Sequence, residues 1–266
     1  MDRTTRCVIS GGLAAVMMAG VVVSAQQSAT AQKPFKPEVA QAGKDVVWVP
    51  TPQVTVDAML GLAKLTKDDY LIDLGSGDGI IVITAAKRGA RALGIEYNPD
   101  MVTYAEQKAK EAGVSARATF RKADLFQTDF SQATVLTMFL LPQINLQLRP
   151  TILDLKPGTR VVSNTFTMDD WEADQTVAVE NCPTSWCTAL LWIVPAKVNG
   201  VWKMGSSTLA LDQTFQMVTG TLGPAAITDG RLNGADITFT AGGTKYAGKV
   251  SQDGKTIAGA GWTATR

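Results

Sequence analysis

The sequence predicts an α/β protein: a doubly wound, mostly parallel sheet followed by a small antiparallel β domain. Two patterns predict it. Between residues 70 and 166, short apolar strands alternate with helical segments that end in glycine. Beyond residue 197 the helices stop, and Thr- and Val-rich runs are punctuated by Asp-Gly, Asn-Gly and Gly-Gly pairs.

The chain begins with a targeting segment. Arg3 and Arg6 precede an apolar run at 8–25, and Val23-Ser24-Ala25 offers small residues for signal-peptidase cleavage. Residues 1–25 therefore read as a signal peptide. An uncleaved anchor helix is the competing reading, because 18 residues just suffice to cross a bilayer. The chain is then exported, periplasmic or membrane-tethered, and cytoplasmic only if this segment does not function. Residues 26–45 are rich in Gln, Ala, Lys and Pro without an apolar period, and read as a flexible linker.

The elements follow in order. At 51–65, Thr51 can cap a helix with Pro52 at its first position. YLIDLG (70–75) is a buried strand, and IIVITAAKRG is a helix stopped by Gly89. A strand at 90–97 leads into a helix capped by Asn98, with Pro99 at its start and Gly113 at its end. Strands at 118–124, 133–141 and 159–166 follow, with a helix after the second that Pro150 should kink or break. Strands at 176–180 and 188–195 have no helix between them and read as an antiparallel pair. The stretch 46–196 is one domain and 197–266 the small β domain. In the latter, Asp229-Gly230, Asn233-Gly234, Gly242-Gly243 and Asp253-Gly254 mark hairpin turns, which need positive φ.

Composition excludes several chemistries. The chain of 266 residues has no histidine, so triads and His-based metal sites are ruled out. Two cysteines follow the apolar run, Cys182 and Cys187, and in an exported chain they read as one disulfide joining the mouth of the antiparallel pair. No metal is expected. The net charge of +1 argues against a broad nucleic-acid footprint, and no nucleic-acid partner is expected. The oligomeric state is not legible.

The chemistry concentrates at GSGDG, residues 75–79. It lies between a strand and a helix, at the carboxyl end of the strand, where open α/β sheets bind ligands. Gly75 and Gly77 allow a tight turn and close ligand approach, and the helix start points N–H groups at the cleft. Glu96 follows Gly75 by 21 residues at the next strand tip, placed to accept from a ribose diol, and Asp124 ends the third strand, placed to accept from an adenine amine. The dinucleotide fingerprint G-x-G-x-x-G fails, because its third glycine would be Ile80. Asp73, within the first strand, would set a negative charge beside the ligand, which suits a cationic one.

These residues carry a resemblance. IDLGSGDG, GIEY and KADLF resemble the first three motifs of class I S-adenosylmethionine-dependent methyltransferases, and the antiparallel final pair resembles their Rossmann-like seven-stranded sheet. More narrowly, VPTPQVTVDAML and TMFLLPQINLQLRPTILDLKPGTRVVSNTF resemble bacterial relatives of the lysine methyltransferases that modify the mitochondrial ATP synthase c-ring protein and the ADP/ATP carrier. The resemblance implies S-adenosylmethionine as cofactor, a protein or small-molecule methyl acceptor, and protein-lysine N-methylation as the narrower activity. It implies that Asp73, Gly75, Ser76 and Gly77 hold the amino-acid part, Glu96 the ribose, and Asp124 and Leu125 the adenine. Residues 49–52 would close over the cofactor, and Met138 to Leu141 would line the acceptor pocket.

No general base is assigned. Asp169 and Asp170 could approach the pocket, but a solvated loop is the simpler reading. Trp48, Phe139 and Trp171 read as core residues rather than as a cage for the acceptor. S-adenosylmethionine is made in the cytoplasm, so an exported chain leaves a second reading open: a non-catalytic binding protein for a nucleoside-like ligand.

Overall fold

The computed structural model describes residues 1, 2, 4, 5 and 35–266. The run at 8–25, with the export reading placed on it, lies outside the described residues, as does the first part of the linker. Among the described residues no helix is long and apolar enough to cross a membrane. Residues Phe35–Arg266 form one unit.

Its first half is a seven-stranded sheet. The strands are β1 (Tyr70–Leu74), β2 (Arg91–Glu96), β3 (Ala118–Lys122), β4 (Val135–Met138), β5 (Arg160–Asn164), β6 (Gln175–Ala178) and β7 (Thr188–Ile193). They lie in the order β3-β2-β1-β4-β5-β7-β6. β1 to β5 run parallel, whereas β7 is antiparallel to both β5 and β6. The order reverses between β1 and β4, so the glycine turn after β1 opens at the switch point of the sheet.

Helices cover both faces. Leu71, Val135, Val162 and Leu191 pack with α1 (Gln53–Leu62), α2 (Ile80–Lys87) and α3 (Pro99–Glu111). The alternate residues Ile72, Leu74, Leu136 and Trp192 pack with α4 (Pro142–Leu153) and Trp171. Each fully buried large side chain of this kind contributes about 1.5–3 kcal/mol. Local chemistry sets the helix ends. The Asn98 carboxamide oxygen accepts from the N–H groups of Asp100 and Met101, with Pro99 at the first position. Gly89 and Gly113 follow α2 and α3 with φ of 94° and 69°.

Three expectations are revised. Thr51 does not cap α1: the helix starts one residue later, with Pro52 in the cap position and no side-chain hydrogen bond. Pro150 does not break α4, which runs on to Leu153 with Pro150 inside its last turn. The linker does not stay unstructured to residue 45. Ala40 donates to the Trp48 carbonyl and Trp48 to the Gln41 carbonyl, so residues 40–48 form a short hairpin.

The second half is a closed antiparallel barrel of eight strands, β8 (Gly200–Met204) through β15 (Trp262–Thr265), filled by Trp202, Phe239 and smaller apolar side chains. Gly242-Gly243 turns with φ of 55° and 76°, and Asn233-Gly234 and Asp253-Gly254 also lie at turns. Asp229-Gly230 does not. It sits inside β11 (Ala225–Asn233), where two residues oppose one on β12 (Asp236–Ala241) in a β-bulge. A Cβ on Gly230 would lie 2.0 Å from the Val218 carbonyl oxygen, so the close strand approach demands glycine there.

The barrel docks on the sheet through Trp171. This side chain is buried, stacks on Phe215 at 5.7 Å and donates to Gln216 Oε1 at 2.9 Å. Gln216 donates in turn to the Glu172 carbonyl. Arg231 reaches from the barrel to Asp174 at 2.6 Å.

Candidate active site

The carboxyl tips of β1, β2 and β4 and the loop after β3 surround a cavity of about 230 Å³. Asp73, Gly75, Ser76, Gly77, Glu96, Asp124 and Leu125 all line it. The sequence therefore named residues that the fold brings together, but their geometry differs from one to the next.

Gly75 and Gly77 take φ of 75° and 51°. They supply room rather than donors toward the cavity, since the Gly75 and Ser76 N–H groups both go to the Ile95 carbonyl. The Gly77 N–H goes to Glu96 Oε2 at 2.9 Å, and the Asn98 N–H to Glu96 Oε1 at 2.9 Å. Each carboxylate oxygen of Glu96 thus keeps lone-pair capacity while its orientation is fixed by the main chain. The Ser76 hydroxyl is buried, has no hydrogen-bond partner among the described residues, and packs toward Gly94, where an added Cβ would lie 2.5 Å from it.

Asp73 is buried and accepts a hydrogen bond from the Thr137 hydroxyl at 2.7 Å. Burial pushes its carboxyl up to about 7, and the nearby charges of Glu96 and Asp78 add to the effect. A cation at this end would relieve that strain.

Asp124 is not free. β3 stops at Lys122, and Asp124 Oδ1 caps a 3₁₀ turn by accepting from the Phe126 N–H, while Oδ2 accepts from Lys44 at 2.9 Å. The Lys44 hydrogen bond holds the Asp124 carboxyl below the usual carboxylate range. The Lys44 ammonium also lies 5.6 Å from the rings of both Tyr97 and Phe126.

The hairpin at 40–48 brings Lys44 to this place and lays Trp48 over the glycine turn. A Cβ on Gly77 would lie 2.6 Å from Trp48 Nε1. Trp48 is therefore part of the cavity wall, not of the core, and so is Phe139. Only Trp171 is a core residue. Met138 is also fully buried in the core, leaving Phe139, Leu140 and Leu141 at the cavity. Asp170 pairs with Arg149, and neither Asp169 nor Asp170 lines the cavity.

Sequence reading gave no packing role to Gly79 and Gly94, although both lie in the motifs it singled out. Side chains there would run into Phe120 at 2.7 and 2.6 Å, so both permit the packing of α2 and β2 against β3. Their signal, glycine within a helix start and within a strand, was present but has no single meaning. Among the described residues no cluster of His, Cys, Asp or Glu gathers to hold a metal.

The arrangement suits a cationic nucleoside ligand, with the carboxylates of Asp73, Glu96 and Asp124 and the apolar side chains of Phe139, Leu140 and Phe166 lining one cavity. Comparison with known proteins agrees. The profile of the ANTKMT methyltransferase domain matches residues 73–175. A protein-lysine N-methyltransferase of Saccharolobus islandicus is 44% identical over 139 residues, covering 51% of this chain and 86% of its own. The chain belongs to this methyltransferase family. A mouse lysine N-methyltransferase named for the C-subunit of ATP synthase is 41% identical over 117 residues, and the match spans 44% of this chain and 47% of the mouse protein, about half its length. The crystal structure of an RNA methyltransferase from Salinibacter ruber with S-adenosyl-L-homocysteine is 49% identical, covering 56% of this chain and 96% of that one at a TM-score of 0.53.

The methyltransferase uses S-adenosylmethionine, whose sulfonium supplies an activated methyl group for in-line displacement. The protein's work is alignment and desolvation, with no covalent enzyme intermediate. Family membership favours this enzymatic reading over a non-catalytic binding protein. The family match ends before the barrel strands begin at Gly200.

Proposed function

We propose that the chain methylates the ε-amine of a protein lysine, with Asp73, Gly75 and Gly77 beside the amino-acid part of the cofactor, Glu96 on its ribose and Asp124 with Leu125 at its adenine. One observation carries the acceptor assignment. Phe139, Phe166 and Trp186 line the cavity as one apolar cluster, with ring centroids 5.9 Å (Phe139–Phe166) and 6.3 Å (Phe139–Trp186) apart. A lysine ammonium entering such a wall loses hydration, which lowers its pKa from about 10.4 and raises the neutral, nucleophilic fraction. The names of the Saccharolobus and mouse relatives support the same acceptor class.

The chain acts outside the cytoplasm in this reading, consistent with the apolar run at 8–25 and the Cys182–Cys187 disulfide. Purified protein, supplied with methyl-labelled cofactor, envelope proteins and total RNA, tests the acceptor class. Label on lysine residues by peptide mass spectrometry supports the reading. Label on RNA alone, as the name of the Salinibacter enzyme would suggest, overturns it.

A further inference from the structure

The loop between β6 and β7 is closed on itself by the Cys182–Cys187 disulfide, with Cα atoms 6.1 Å apart. It carries Trp186, whose ring is tilted against Phe139 at a centroid distance of 6.3 Å. Phe139 in turn stacks on Phe166 at 5.9 Å. All three line the cavity.

The three rings are held in different ways. Phe139 follows directly on β4. The Phe166 carbonyl accepts from the Ser163 hydroxyl at 2.7 Å and from the buried Asn145 amide at 3.3 Å, and the preceding Thr165 is fixed at φ 63°. Trp186 is held from within its own loop, where its main-chain N–H donates to the Thr184 hydroxyl at 3.2 Å. It stays 40% exposed, next to β6, an edge strand with every residue exposed. The disulfide closes the loop, and the Thr184 hydroxyl, 3.3 Å from the Cys187 sulfur, and the Thr55 hydroxyl of α1, 3.4 Å from the Cys182 sulfur, pack on it. An exposed tryptophan on a stapled loop, turned onto a cavity wall, has the form of a recognition residue.

We propose that this disulfide-closed loop is an acceptor-recognition element, holding Trp186 against Phe139 as the outer wall for the incoming side chain. The proposal rests on the lysine reading above. The aromatic faces pack on the four-carbon stem and attract the ammonium once it carries methyl groups. The disulfide takes no part in transfer; it restricts the loop so that little ordering is left to occur on binding.

The test compares two ligands of the full chain by calorimetry. One is S-adenosyl-L-homocysteine. The other is an analogue in which a nitrogen replacing the sulfur carries a four-carbon primary amine, so that it reaches the acceptor end. The oxidised protein should bind the analogue about tenfold more tightly, the scale of one or two aromatic contacts. Trp186→Ala and the double variant Cys182→Ser/Cys187→Ser should lose that advantage, and Trp186→Phe should keep most of it. Affinity for S-adenosyl-L-homocysteine should be unchanged in all three, which also reports that they fold. An advantage that survives in both Trp186→Ala and the double variant overturns the proposal alone. Loss of S-adenosyl-L-homocysteine binding in Trp186→Ala also overturns it, since the ring would then belong to the cofactor wall. No advantage in the unsubstituted protein, with S-adenosyl-L-homocysteine still bound, removes the lysine reading and the proposal with it.

Discussion

The Gly77 N–H donates to Glu96 Oε2 at 2.9 Å, tying the glycine turn after β1 to the last residue of β2. The carboxylate that would hold the ribose is thus also the acceptor that shapes the turn. Glu96→Ala should weaken S-adenosyl-L-homocysteine binding by about 1–3 kcal/mol, because it removes a ligand acceptor and unpairs two main-chain donors. Unchanged affinity in a calorimetric titration would take Glu96 out of the site.

Asp73 makes binding depend on pH. Its folded carboxyl is held up to about 7, above its ordinary value of 3.8, so the folded protein binds more protons than the unfolded one between these values. Its contribution to stability is therefore lost as pH rises toward 7, and a bound cation offsets the loss. Cofactor affinity should fall on acidification below about pH 7, approaching tenfold per unit where the ionised form alone binds. Asp73→Asn should flatten this dependence; an unaltered slope in the variant would assign it to another group.

Gly77→Val should abolish cofactor binding. The added side chain meets Trp48 at 2.6 Å and must adopt φ of 51°. The strain costs about 1–3 kcal/mol, below the stability of most domains, so the fold should persist. Circular dichroism with a binding titration checks both halves, and normal binding would make the turn merely structural.

Lys44 competes for Asp124. Its ion pair is screened by solvent, so Lys44→Ala should leave stability nearly unchanged. If the adenine amine uses the same carboxylate, the variant should bind S-adenosyl-L-homocysteine up to about fivefold more tightly. Weaker binding would instead make Lys44 a ligand contact.

Gln216→Ala should destabilise the chain by about 1–3 kcal/mol, because the Trp171 indole N–H loses its buried acceptor. Cofactor affinity should not change, since neither residue lines the cavity. A parallel loss of affinity would link the barrel to catalysis.

The strand tips were legible because their signals are local. A buried apolar run, a glycine pair and an acid at the next tip are each read within a few residues. The Asn98 cap was legible for the same reason. What escaped depends on contacts between distant segments. Nothing in the Gln- and Lys-rich stretch before Trp48 says that Lys44 will meet Asp124, 80 residues away. Asp229-Gly230 supplies positive φ in either a turn or a bulge, and only the register of β11 against β12 decides between them. Trp186 reaches Phe139 because β7 folds back beside β5, a pairing visible only once the sheet is assembled.

The most direct measurement is a crystal structure with S-adenosyl-L-homocysteine bound. The ribose hydroxyls should lie within hydrogen-bond distance of Glu96, and the sulfur should face the wall formed by Phe139 and Phe166. A ligand seated elsewhere, or one whose sulfur points away from those rings, would contradict the account.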